Sequence, residues 1–543
     1  MATSVGLHQY QGQNLDNLLD DTSPENLDRQ RQYYERFRER LDALNANRLT
    51  AEDQADLNIL RDQVSLALLD LNESHSHLHN PTLYVETLGN ALFSPYVLEY
   101  APQAARMRNI IARLQKAPLF LDQASTNLTS SPEIWTKVAM EENEGNIGLV
   151  DKTIRAAVPP DLRDAYNLAA LSALDAMRKF QGFLKNNLSN RGDDAWRMTS
   201  DQYMRKFRYA LESGVEADTM LQMAERELVR VRADMLELAL PLDRQLAPAH
   251  KDHAELSGAA RENQVIGEVL AKIAERHSTR ESYMDDARQD LAEARAFVEQ
   301  KRLLTLPQRA NLQVIPTPEF MRGVYSVGGF SAAPALEPRL GAFYWVTPIP
   351  ADWPKERVES KLREYNYYKL KLLTIHEAMP GHYVQMEIAN NVQPESRRVL
   401  RSVFGNGPYI EGWGEYATQT MLDEGFLDRS PEMALTFAKE KLRVIANAIL
   451  DVRLHMLDMT DQEALDLMEK QTFQEEEEAT EKLQRAKLSS CQLPMYFVGW
   501  SDWLRVREQY KQKRAPYSLS GFNDWALKEG AVPLPALTRL LTP

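Results

Sequence analysis

The stretch TIHEAMPGHYVQ, residues 374–385, brings together His376, Glu377 and His382, side-chain types suited to holding a metal ion and moving a proton. In the common zinc-protease string H-E-x-x-H the two histidines sit four residues apart on one helix. Here they are six apart, with Pro380 and Gly381 between them. Each residue of a regular helix turns roughly 100°, so positions six apart diverge by about 240° and cannot share a ligand. This helix cannot run on, however. Pro380 lacks an N–H, and its ring collides with the carbonyl four residues back, that of His376. Gly381 permits backbone conformations that other residues resist. The break therefore falls where a two-residue insertion has to be absorbed, and a bulge through Met379–Gly381 would return His382 to the side of His376. A helix that merely ends at Met379 fits the same string.

Zinc needs a third protein ligand, with the fourth position left to water in a catalytic site. Glu411, twenty-nine residues beyond His382, lies in PYIEGWGEYATQTMLDEGF, which reads as a helix with Glu411 and Glu415 on one face. Its apolar positions include Ile410, Trp413, Ala417 and Met421. A carboxylate in that setting is costly unless paired or metal-bound. A His-Glu…His pair followed by a glutamate on a second helix is the gluzincin arrangement. His376, His382 and Glu411 would hold one Zn²⁺ per chain, and Glu377 would take the proton of the water and pass it to the leaving amine. The same ligands would accept manganese or cobalt. The oxyanion needs a further donor such as a tyrosine hydroxyl. An inward-facing edge strand would pair with an extended peptide, and GAFYWVTP, with Tyr344 at its centre, suits that role.

The elements that must position these groups are helices. Helical periodicity runs through about 51–72, 102–129, 160–188, 217–240, 260–300, 355–377, 395–425, 431–457, 461–488 and 495–512. Ser-Pro-Glu starts at Ser23, Ser131 and Ser430 read as N-caps. Between 303 and 350 the texture turns to Pro, Gly, β-branched and aromatic residues, and short strands are predicted at LQVIPT and GAFYWVTP. Gly328-Gly329 lacks the G-K-[ST] of a phosphate loop. The expected fold is mainly α: a helical lobe over 1–300 and a catalytic lobe over 301–543, or the two interleaved as one domain.

A net charge of −14 opposes a nucleic-acid partner, which needs a basic face. The single cysteine, Cys491, excludes an intrachain disulfide and reads as a packing residue. No stretch approaches the roughly 18 apolar residues of a membrane span. MATSVGLHQYQGQ has neither a basic nor an apolar signal-peptide region, and compartment and oligomeric state stay open. FQEEEEATEKLQRAK reads as a solvated helix face, and His75, His77 and His79 as incidental surface histidines.

With HEAMPGH, EGW at 411–413 and QLPMYFVG at 492–499, the sequence resembles the bacterial family called domain of unknown function 885, which carries H-E-x-x-P-G-H, E-G-W and Q-x-x-x-Y-x-x-G. The opening MATSVGLHQY is similar to that family's start. The resemblance implies a two-lobed helical zincin-type peptidase fold with a deep central channel, similar in outline to thimet-oligopeptidase-like and helical carboxypeptidase enzymes. It implies His376, His382 and Glu411 as ligands, Glu377 as base and Tyr496 as oxyanion donor. Arg485, His455 and Gln492 become candidates for substrate or supporting contacts. A helix-face aromatic is the plain alternative for Tyr496, and a satisfied helical histidine for His455. The family's common E-G-W-A-L-Y-A-E reads EGWGEYAT here. Thr418 thus stands where a supporting glutamate is usual, and Glu415 could join or replace Glu411 at the metal. Tyr383, where the family has a histidine, would tune substrate contact.

The function expected is hydrolysis of short peptides by a zinc metallopeptidase, with Arg485 or Arg339 available to receive a carboxylate. The alternatives are zinc-dependent hydrolysis of a non-peptide amide or amino-acid conjugate, and a non-catalytic helical binding protein.

Overall fold

Helices dominate the computed structural model, which describes residues 1–246, 253–322 and 325–541. Residues 323–324, within the segment predicted as strands and loops, lie outside the described residues.

One apolar core is built from α1 (Thr82–Val97), α2 (Gln103–Asn127), α3 (Glu133–Gly148) and α4 (Arg163–Asn186), with Phe320 inserted from far along the chain. The larger core gathers α5 (Ala217–Leu246), α6 (Tyr283–Lys301), α7 (Tyr367–Glu377), α8 (His382–Ala389), α9 (Gly407–Asp423), α10 (Pro431–Met456), α11 (Glu476–Leu488) and α12 (Pro494–Lys513). The expected division near residue 300 falls inside this larger core. There α5 packs along α10 and α6 along α7, and Lys371 of α7 pairs with Asp290 and Glu293 of α6.

Local chemistry sets the helix starts. Ser23 and Ser430 cap as predicted, their hydroxyls accepting from the amides of Asn26 and Met433. Ser131 does not cap; the helix begins one residue later, after Pro132. Asn366 accepts from the amides of Tyr368 and Lys369 to start α7, and Asn406 from Tyr409 to start α9.

Three strands form the small sheet: β1 (Leu312–Pro316), β2 (Gly328–Ser331) and β3 (Ala342–Val346). The order is β1-β3-β2, with β1 parallel and β2 antiparallel to β3, pairing Val314 with Tyr344 and Phe330 with Tyr344. GAFYWVTP is therefore the middle strand, not an edge. Its side chains alternate as a strand's must. Ala342, Tyr344 and Val346 enter the larger core, while Phe343 and Trp345 join a small cluster with Leu98 and Leu340. The edges are β1 and β2, and β2 is the strand that sequence patterning missed because Gly328-Gly329 carries no strand signal.

Candidate functional site

The Pro-Gly insertion forms a bulge. α7 ends at Glu377 and α8 begins at His382. The Gly381 amide donates to the Ile375 carbonyl at 3.0 Å, six residues back instead of the helical four, which absorbs the two extra residues. A Cβ at Gly381 would strike the His376 carbonyl, so only glycine fits. Trp413 of the EGW segment fixes this turn from across the site. Its buried indole N–H donates to the carbonyls of Pro380 (3.0 Å) and Gly381 (3.3 Å).

The bulge turns His382 back toward His376. Their rings lie 4.7 Å apart at 83°. His376 Nε2 is 3.5 Å and His382 Nε2 3.4 Å from Glu411 Oε2, and all three ligand atoms lie within 4.8 Å of one another. Bonds of about 2.0–2.1 Å in a tetrahedron put neighbouring donors roughly 3.3–3.4 Å apart, so this donor set has the size and chemistry of a zinc site. Burial alone would lower His376, but hydrogen bonding with Glu411 and Glu415 pushes it up to about 10. Burial would raise Glu411, and the two histidines hold it far below the carboxylate range. The cluster thus favours added positive charge.

Glu415 lies outside the His376–His382–Glu411 cluster. It is buried behind His376, with Oε1 3.4 Å from Nδ1, where a carboxylate orients a ligating imidazole. It supplies the support that Thr418 lacks; the Thr418 hydroxyl donates instead to the Gly414 carbonyl at 2.8 Å. Gly414 admits the His376 ring, since a Cβ there would lie 2.5 Å from Cε1. Close packing of α9 on α12 rests on two more glycines: a Cβ on Gly412 would strike Gly499, and one on Gly499 the Pro408 carbonyl. That contact delivers Tyr496, three residues before Gly499, whose ring stacks on His376 at 6.1 Å and 21°.

A cavity of about 560 Å³ opens in front of this cluster, lined by Glu377, Tyr496, Arg485 and Gln492 among others. Glu377 makes no hydrogen bond or ion pair with any described residue. The Tyr496 hydroxyl accepts from Arg485 Nη2 and Gln492 Nε2, each at 3.4 Å, which leaves its own proton for the cavity. Burial, then Glu411, pushes Tyr496 up to about 12, so it stays a donor at neutral pH.

Other candidates fall elsewhere. Tyr344 is fully buried, its hydroxyl 3.1 Å from Thr374 Oγ1, and it does not line the cavity. β2 takes the expected place of that strand, with Gly328, Gly329 and Phe330 on the wall. His455 is a satisfied core histidine: Nε2 meets the Ser489 carbonyl at 3.1 Å, Nδ1 accepts from the Met198 amide, and the ring stacks on Tyr203. Tyr383 turns away from the cavity and donates to the Arg309 carbonyl at 2.7 Å. Arg339 is a surface residue paired with Glu337. Cys491 is buried packing, and His75, His77 and His79 form no ligand cluster among the described residues.

The acidic run is the largest correction. α11 keeps Glu476 and Thr480 exposed, but its other side is not solvated: Glu478 and Lys482 are buried, and with Glu481 and Arg485 they line the cavity. Their partners lie more than a hundred residues away, Lys361 on Glu481 at 2.7 Å and Tyr365 on Glu478 at 3.1 Å. Tyr325, Lys482 and Arg443 also reach the wall unforeseen, without any local sequence signal.

Fold and site together describe a mainly helical bacterial protein with a buried His-His-Glu cluster beside a cavity. The chain belongs to the family of bacterial proteins of unknown function DUF885, whose model matches residues 1–541. It is similar in structure to a "putative lipoprotein of unknown function" from Shewanella oneidensis, with 26% identity, TM-score 0.76, and 98% of this chain and 95% of that one covered. A "putative lipoprotein" from Colwellia psychrerythraea shares the fold, with 17% identity, TM-score 0.77, and coverage of 99% and 94%. No curated protein matches the sequence. Among the described residues no helix is long and apolar enough to cross a membrane.

Proposed function

We propose that this protein is a zinc metallopeptidase that hydrolyses short peptides within the cavity. The observation that carries the reading is the 3.4–3.5 Å spacing of His376 Nε2 and His382 Nε2 about Glu411 Oε2, the edge length of a zinc tetrahedron. His376, His382 and Glu411 would hold the ion, which when bound supplies Lewis acidity and an acidified water. Glu377, adjacent to a ligand and free of partners among the described residues, receives the water's proton at its carboxylate and returns it to the leaving amine. Tyr496 points its hydroxyl proton at the developing oxyanion, held by Arg485 and Gln492. The free edge of β2, at Gly328–Ser331, offers backbone groups to an extended substrate.

The cavity volume lies in the range of small-molecule pockets, which favours short peptides over folded proteins. Two lobes enclosing a channel, as in zincin-type peptidases, is the architecture this reading favours. The lipoprotein description of the Shewanella protein favours a periplasmic or secreted setting.

The test is metal content with activity. The purified protein is expected to hold about one zinc, lost in His382→Ala, and to cleave short peptides, with Glu377→Gln inactive but still metallated. A protein that binds no zinc on titration ends the metallopeptidase reading.

A further inference from the structure

The cations in and behind the cavity wall are unevenly paired. Lys369 and Arg443 share Glu440, and Lys361 has Glu481 at 2.7 Å. Two cations on α11 lack such a partner. Arg485 touches only neutral groups, Gln492 Oε1 at 3.0 Å and the Tyr496 hydroxyl at 3.4 Å. Lys482, three residues earlier, is 5% exposed and makes no hydrogen bond with any described residue. Its nearest carboxylate oxygen, Glu478 Oε1, is 4.0 Å away, beyond hydrogen-bond reach, while Oε2 of the same group accepts from Tyr365 at 3.1 Å and lies 3.9 Å from Lys361. Positions three apart on a helix share a face, and both residues line the cavity. A buried cation whose only counter-charge is distant and shared is unfavourable, and an anionic ligand would relieve it.

We propose that Lys482 and Arg485 receive the free α-carboxylate of the substrate's last residue, making this enzyme a carboxypeptidase. The inference rests on the metallopeptidase reading. Position selects the carboxylate of the chain end. Arg485 is one hydrogen bond from the Tyr496 hydroxyl, and Tyr496 stacks on the ligand His376. A terminal carboxylate lies one residue beyond the last peptide carbonyl, a span of roughly 3.5 Å. A peptide held by its carboxylate at Arg485 thus sets its last peptide bond before His376 and Tyr496. Hydrolysis adds water oxygen to that carbonyl carbon and breaks the C–N bond. The departing amine takes the proton carried by Glu377, releasing a shortened peptide and one free amino acid. Burial, with Arg443 and Arg485 adding to it, pushes the Lys482 ammonium well down, and a bound anion reverses that cost.

The experiment compares benzoyl-glycyl-phenylalanine with its C-terminal amide on the zinc-loaded protein and on Lys482→Met and Arg485→Gln. The wild type is expected to prefer the acid by at least about 30-fold in kcat/KM, a charge-assisted hydrogen bond's worth. In either variant the preference should shrink toward one, mainly through a higher KM for the acid. Equal cleavage of acid and amide by the wild type, or an unchanged preference in Lys482→Met, overturns the proposal. If the wild type cleaves neither peptide, the peptidase reading is what fails, and calorimetric titration with N-acetylphenylalanine and its amide decides the anion pocket. Binding of the acid alone, lost in Lys482→Met, upholds the pocket; equal binding of both, or of neither, overturns it. Should Arg485→Gln fail to fold, Lys482→Met and the acid–amide comparison suffice.

Discussion

Gly414→Ala tests the site with one methyl group. A Cβ at 414 would lie 2.5 Å from His376 Cε1, 2.6 Å from Nδ1 and 2.9 Å from Nε2, while ordinary contact begins near 3.4 Å. The imidazole must retreat by about 0.9 Å, whereas a metal–ligand bond tolerates about 0.2 Å. It has little room to do so, with Tyr496 stacked on it, His382 set edge-on at 4.7 Å and Glu415 at 3.4 Å. Zinc affinity is expected to fall at least about 100-fold, or about 2.7 kcal/mol. Helix propensity works the other way, since Ala is about 1 kcal/mol better than Gly inside a helix, so unfolding is not the expected cause. Gly182→Ala, with nothing within 4 Å of the added atom, is the matched control. Competition against a chelator gives the affinity, and circular dichroism the stability. Wild-type zinc affinity in Gly414→Ala would refute the packing argument. The pattern common in the family, Ala at 414 with Leu at 415 and Glu at 418, moves the supporting carboxylate along the helix. The triple replacement is expected to recover much of the loss.

Glu415→Gln weakens the acceptor behind His376, and zinc affinity measured by chelator competition should drop about 10–100-fold. Trp413→Phe leaves the carbonyls of Pro380 and Gly381 without their donor, costing about 1–3 kcal/mol in denaturant unfolding along with loosened metal binding. Glu142, on α3, is 2% exposed and neither carboxylate oxygen has a partner among the described residues. Burial first, then Glu86, raises it from 4.5 to about 9. Because the folded state holds a proton that the unfolded chain releases, stability is full below about pH 4.5 and is lost as pH rises toward 9. At pH 7 the loss is about 3 kcal/mol. Glu142→Gln should therefore raise the melting temperature at pH 7–8 and flatten its pH dependence; a variant no more stable than wild type at pH 8 contradicts this.

The convergence of His376 and His382 was legible because its signals are local. Pro380 and Gly381 forbid a continuous helix by their own chemistry, and the two-residue offset they absorb can be counted from His376 to His382. Caps such as Ser430 were legible for the same reason. What failed was non-local. Tyr344 was misplaced because strand order depends on where Gly328–Ser331 pairs, and two glycines do not announce a strand. The 473–487 run looked solvated because its charge count is visible in sequence, whereas Lys361 and Tyr365, which neutralise and bury it, are not. Glu415 looked like a rival ligand, and only the approach of α7 to α9 sets it against His376 Nδ1, away from the atoms that face Glu411.

The touching backbones at Gly412 and Gly499 have a mechanical consequence. Glu411 and Tyr496 travel on helices with no slack between them, so the carboxylate and the hydroxyl move as a single body. That end of the cavity behaves as an anvil. Fitting substrates of different bulk then falls to the facing wall, where Asn80, Thr82, Leu83 and Val138 sit on or beside helices of the other core. On the peptidase reading proposed above, changes there would retune which peptides are accepted while the anvil stays the same.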